Sequence, residues 1–182
     1  MSEEKISSEI EKQLKEKDIV MIILPKVKYS EKIIDVLKIV AEYNKSICYV
    51  SANKPEKTLV NLFDVNNIDL KKFLIIDCVT GSVAKKEEKN MATVFISSPR
   101  NLTGLSIAVT EALDLGIGNV FVDALSTFMV YEKGLVVIRF AHSLISKIRA
   151  SSSKGVFIVL KDDVSSVLLD DLSMFVDEVV EI

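Results

Sequence analysis

The side chains able to do work in this sequence stand at the ends of its apolar runs. Asp123 closes the run Asn119-Val120-Phe121-Val122-Asp123. An acid in that position can hold a divalent cation, or it can fix a turn through its own hydrogen bonds beside Ser126. Asp77 closes another run and is followed by Cys78 and Thr80. A nucleophilic cysteine would need a histidine partner, and the single histidine, His142, lies between Arg139 and Ser146 with no cysteine or carboxylate cluster at ligand spacing. A packing role is therefore expected for Cys78 and a structural one for His142, with no metal site built on either. Lys26, Lys28 and Lys32 follow the first apolar run and Lys54 follows the second, which puts positive charge where a phosphate could be met. Lys71-Lys72 and Lys85-Lys86 have no aromatic residues interleaved with them, as a platform for single-stranded nucleic acid would require.

The elements that must carry these residues follow from periodicity. Continuous apolar, β-branched runs at 19–24, 47–51, 73–77, 93–97, 119–123, 156–160 and 178–182 predict strands buried on both faces. Between them, apolar residues at helical spacing predict helices over 30–43, 56–65, 102–115, 135–149 and 164–174. Strands alternating with helices imply βαβ units, so the expected class is α/β, a three-layer sandwich with a mostly parallel central sheet. In such a sheet ligands meet the carboxyl ends of the strands, where these candidate residues stand. Residues 1–17 carry a separate stripe, Ile6, Ile10 and Leu14, which predicts an amphipathic leading helix docked on the domain or on a neighbour. Residues 18–182 are expected to form a single domain. Residues 85–90 read as a solvated loop, and 151–154 as a second loop.

Composition narrows the function classes. The chain has 182 residues, 49% hydrophobic and 27% charged, enough to close a core without disulfides. Cys48 and Cys78 lie inside apolar runs and are expected to be free, buried thiols of a reducing compartment. With 23 Lys+Arg against 26 Asp+Glu the net charge is −3, which argues against binding nucleic acid through its phosphates. Residues 1–18 are charged throughout with no signal-peptide core, and no apolar run reaches membrane-spanning length. A cytoplasmic protein with no membrane contact is the expectation.

Asn119 to Thr127 resembles the Walker B strand and its continuation in RecA-like P-loop ATPases, in particular the archaeal KaiC-like branch. The stretch Ser98-Pro99-Arg100-Asn101-Leu102-Thr103, the strand at 47–51 and the closing Phe175-Val176-Asp177-Glu178-Val179 run are similar to that branch as well. The resemblance implies a RecA-like fold from 18 to 182, with Asp123 at the Walker B position. The phosphate loop of this family is GxxxxGK[ST], and by register it falls on residues 25–32. Pro25 and Ser30 replace its glycines, Glu31 replaces its lysine and Lys32 its hydroxyl residue, and no glycine precedes Gly81. Proline removes a backbone donor, and the carboxylate of Glu31 would repel a phosphate. Relatives carry a general-base glutamate after the second strand, where this chain has Asn53 and Lys54. The long DNA-binding loop of recombinase relatives shrinks here to Lys161-Asp162-Asp163.

The resemblance and its departures together imply a pseudoenzyme. The expected role is a non-catalytic, regulatory or scaffolding module, not an ATPase, that uses no cofactor and acts through a protein partner or self-association. A nucleotide-binding sensor or weak ATPase using Asp123, with Lys26, Lys28 and Lys54 for charge, is the alternative. A DNA-binding accessory protein is a further one.

Overall fold

A computed structural model describes residues 3–81 and 92–182, so the lysine-rich stretch at 85–90 lies outside the described residues. In chain order the elements are α1 (Glu3–Glu16), β1 (Ile19–Leu24), α2 (Tyr29–Tyr43), β2 (Ile47–Ser51), α3 (Glu56–Val65), β3 (Phe73–Asp77) and β4 (Ala92–Phe95). Then follow α4 (Leu102–Asp114), β5 (Asn119–Asp123), α5 (Leu125–Tyr131), α6 (Gly134–Ala150), β6 (Lys154–Leu160), α7 (Ser166–Ser173) and β7 (Glu178–Glu181). The strands form one sheet in the order β4-β3-β2-β5-β6-β1-β7, and every paired neighbour is parallel.

Each strand sends alternate residues to opposite sides, which makes two apolar layers. Val20, Ile22, Tyr49, Ile75, Phe121 and Ile158 pack with α2 and α3. Met21, Val50, Ile76, Val122 and Phe157 pack with α4, α5 and α6. Burial on both faces is why these strands are apolar throughout instead of alternating with polar residues. The split of helices follows from one handedness of crossover. The connections through α2 and α3 run across the sheet toward β4, and those through α4 to α7 run back toward β7. Opposite directions with one hand place the two helix sets on opposite faces. This reversal leaves a crevice between the carboxyl ends of β2 and β5, a topological switch point.

Local chemistry sets several boundaries. After α4 the chain turns at Gly116 (φ +82°), with Ile117 N–H donating to Ala112 C=O and Gly116 N–H to Leu113 C=O. That is a Schellman stop, and its positive φ favours glycine. The expected strand at 93–97 occupies Ala92–Phe95 instead. Leu125–Tyr131 forms a short helix that the spacing does not suggest, because it follows β5 with one intervening residue and covers barely two turns. The stripe of α1 docks on this same domain: Ile10 is 2% exposed, and Leu14 packs against the α2 layer. The side chain of Ile6 lies outside the described part. Lys154 Nζ caps the end of α1, donating to the carbonyls of Leu14, Lys15 and Lys17 at 3.1, 2.8 and 3.0 Å. Among the described residues no helix is long and apolar enough to cross a membrane.

Candidate functional site

The crevice at the switch point is filled by one polar cluster drawn from the ends of β1, β2 and β5. Asp123 ends β5 and is fully buried. The β2–β5 register pairs Ser51 with Asp123 and Tyr49 with Phe121. Tyr49 and Asp123 therefore lie on the same face, and Tyr49 can reach the carboxylate diagonally. Its hydroxyl donates to Asp123 Oδ2 in a short hydrogen bond. Tyr29, the first residue of α2, places its Oη 2.8 and 2.7 Å from Asp123 Oδ1 and Oδ2. Asn53 Nδ2 stands 3.4 Å from Asp123 Oδ1 and 3.4 Å from Tyr29 Oη, while the Thr127 hydroxyl donates to Asn53 Oδ1. Lys54 Nζ donates to Tyr29 Oη at 2.5 Å, lies 4.1 Å from the centre of its ring and is 3.9 Å from Asp123 Oδ2.

Burial and charge set the protonation of these groups. Burial pushes the Tyr29 phenol far up, and the neighbouring Asp123 carboxylate pushes in the same direction. Tyr49 is raised well above its ordinary value for the same two reasons, burial first. Both phenols are neutral donors at physiological pH. Lys54 is lowered by burial, against the pull of Asp123. The carboxylate thus meets hydroxyl and amide donors and an ammonium. Mg²⁺, which the resemblance implies for this fold, takes oxygen lone pairs at about 2.0–2.1 Å. A set of hydrogen-bond donors already directed at Asp123 does not fit that ion.

The phosphate-loop positions are arranged differently from a cradle. Pro25 is extended (φ −67°, ψ 134°) and leads into a 3₁₀ turn at Lys26–Lys28. The turn uses the Lys28 N–H on Pro25 C=O at 3.0 Å, and the Lys26 N–H goes to Asp162 Oδ2 at 3.1 Å. Lys26 Nζ pairs with Asp163 at 2.8 Å. Ser30 and Glu31 face solvent, while Lys32 is buried within 3.1 Å of Glu31 and 3.5 Å of Asp35. Of the positions marked by the sequence, the fold gathers Asn53, Lys54 and Asp123, and turns Ser30 and Glu31 to solvent. The turn-fixing reading of Asp123 is corrected in its partners: they come from β2, the loop after it and α2, and the Ser126 hydroxyl accepts instead from Leu160 N–H at 3.0 Å. Tyr29 and Tyr49 are the site residues that sequence reasoning missed. The available signal was a tyrosine inside a wholly buried strand, whose hydroxyl must find a partner.

The other candidates are structural. Asp77 accepts from the N–H groups of Glu56, Val79 and Thr80 at 2.7, 2.7 and 2.8 Å, so it holds the start of α3 and its own turn. Burial pushes the Cys78 thiol up to about 12, with Asp77 adding to the effect, and burial does the same to Cys48. Neither is an activated thiol. His142 is exposed and stacks on Phe175 at 4.5 Å. Among the described residues, no group of three or more His, Cys, Asp or Glu side chains could hold a metal ion.

Solved structures that share this architecture include two proteins of low sequence identity. The KaiC-like protein PH0186 from Pyrococcus horikoshii OT3 matches with a TM-score of 0.64 and 8% identity, over 90% of this chain and 70% of that one. The flagellar accessory protein FlaH from Methanocaldococcus jannaschii matches with a TM-score of 0.52 and 10% identity, over the same shares. At these identities the likeness carries the fold, which is RecA-like, and nothing finer. No curated protein matches by sequence. A family model covers residues 48–182, and the chain belongs to that family, a family of unknown function (DUF7504).

Proposed function

We propose that this chain is a non-catalytic RecA-like module with a degenerate phosphate loop, a regulatory or scaffolding protein that works through protein contacts. One observation carries the reading: the Asp123 carboxylate is met by Tyr29, Tyr49, Asn53 and Lys54 of its own chain. Phosphoryl transfer in this fold needs a phosphate cradle, a metal ion and a water-positioning group together. The cradle is a proline-led 3₁₀ turn with its Lys26 and Lys28 amides engaged. The carboxylate for the ion is occupied, and the residues at the general-base position, Asn53 and Lys54, are directed at Asp123 and Tyr29. Protein contacts find support in the exposed apolar side chains of Val130, Leu135, Val136 and Val167 on α5, α6 and α7.

The test is a thermal melt of the purified chain with and without millimolar Mg-ATP, paired with a phosphate-release assay. A ligand at 100 times its Kd stabilises by about 2.7 kcal/mol, which a melt resolves. The expected outcome is no shift and no turnover. Turnover that disappears in Asp123→Ala would sink this reading in favour of an ATPase. A Mg-ATP shift without turnover would favour the nucleotide sensor.

A further inference from the structure

We propose that the Lys54 ammonium is the resident counter-cation of Asp123, a tethered replacement for the divalent ion that a RecA-like site would hold at this place. The inference rests on the non-catalytic reading and deepens it by naming what fills the ion's role. Asp123 is fully buried, and a buried carboxylate needs a compensating charge as well as hydrogen bonds. Lys54 Nζ forms an ion pair with Asp123 at 3.9 Å, and its side chain is 19% exposed.

The loop that carries Lys54 is built to hold it there. Ser51 Oγ donates to the Lys54 carbonyl at 2.6 Å and accepts from the Lys54 N–H at 3.2 Å. Ala52, which follows Ser51 directly, donates its N–H to the Asp123 backbone carbonyl at 2.8 Å. The side chain then runs along the Tyr29 ring, and the Tyr29 hydroxyl accepts from the ammonium while donating to the carboxylate. The hydroxyl therefore links the ammonium to Asp123 through two hydrogen bonds in series. Tyr49 and Asn53 supply further donors to the carboxylate. This is the shell expected of an acid whose charge is balanced from within the chain, and a metal ion would find its oxygens already taken.

The experiment is a cycle of Lys54→Met, Asp123→Asn and the double variant, each melted with and without millimolar MnCl₂. In the Asp123 background, Lys54→Met is expected to lower Tm by about 5 °C or more, since it strands a buried charge. In the Asp123→Asn background the same change should have much less effect. Mn²⁺ should leave the wild-type chain unmoved, because the Asp123 oxygens are already taken by donors of the chain itself. Recovery of folded Lys54→Met only when Asp123 is also replaced reports the same coupling. Equal losses in both backgrounds, failure to recover the variant in either, or stabilisation of the wild-type chain by Mn²⁺ would overturn the proposal. The two readings fail separately, because stabilisation of the wild-type chain by Mg-ATP bears on the non-catalytic reading and the cycle bears on Lys54.

Discussion

Tyr49 and Tyr29 show how much a single hydroxyl does inside a sheet. Tyr49 stacks on Phe121 at 5.3 Å and meets Phe63 edge-on at 5.8 Å, so Tyr49→Phe keeps the ring packing and removes only the donor to Asp123. That change should cost about 1–3 kcal/mol in urea unfolding, the scale of a buried carboxylate losing a partner. Alkali provides a second readout. Both phenols titrate higher in the folded chain than the ordinary value of 10, so the stability they contribute is whole below pH 10 and is lost as pH rises beyond it. Of the four tyrosines, Tyr29 and Tyr49 should therefore ionise only together with unfolding. Absorbance of phenolate followed beside circular dichroism checks this, and ionisation of all four in a still-folded chain would contradict it.

The leading helix is where an element's own sequence left two partners open. Its apolar stripe fits any groove of the right width, and the chain supplies one between α2 and the sheet. Glu11 accepts from the Tyr43 hydroxyl at 2.6 Å, Ile10 fills the interior, and Lys154 holds the last carbonyls of the helix. Ile10→Ala should cost about 2–5 kcal/mol, as for other large-to-small changes in a packed core. Removing residues 1–17 should lower the urea midpoint, because Val20, Ile22 and Val40 would lose the cover of that layer. An unchanged midpoint would mean that the helix belongs on another molecule. The turn after α4 offers a smaller check: Gly116→Ala places a β-carbon at φ +82° and should cost about 1 kcal/mol.

Across the whole molecule, Asp177 joins parts of the chain that are far apart in sequence. Its carboxylate accepts from the Ile19 N–H at 2.8 Å and from Arg149 at 2.7 Å, and its own N–H donates to the Ile19 carbonyl at 2.9 Å. It thereby ties the start of β1, the end of α6 and the approach to β7. Partial burial acts to raise its pKa, but the hydrogen bonds from Arg149 and Ile19 outweigh that and hold it below the usual 3.8. The stability it contributes is present above that value and is lost as pH falls through the lowered one. Asp177→Asn should therefore flatten the acid limb of a stability–pH curve while leaving the alkaline limb unchanged. An identical acid limb in both proteins would remove Asp177 from this role.

Strand positions, the parallel class and the acid at the end of β5 were legible in the residues, because burial on both faces demands unbroken apolar runs and a strand end is where polarity returns. The same holds for the make-up of residues 25–32, since Pro25 and the lack of any glycine before Gly81 are covalent facts. The partners of Asp123 were not legible. Tyr29, Tyr49 and Lys54 lie 94, 74 and 69 residues away from it along the chain, taking the last as 123 minus 54. Only the parallel pairing of β2 with β5, and the reversal of the crossover direction across the sheet, brings those side chains to one crevice. Local spacing carries periods of two and 3.6 residues and so reports which face a residue takes. Which strands become neighbours depends on the closure of the entire sheet, and the counter-charge of a buried acid is settled there.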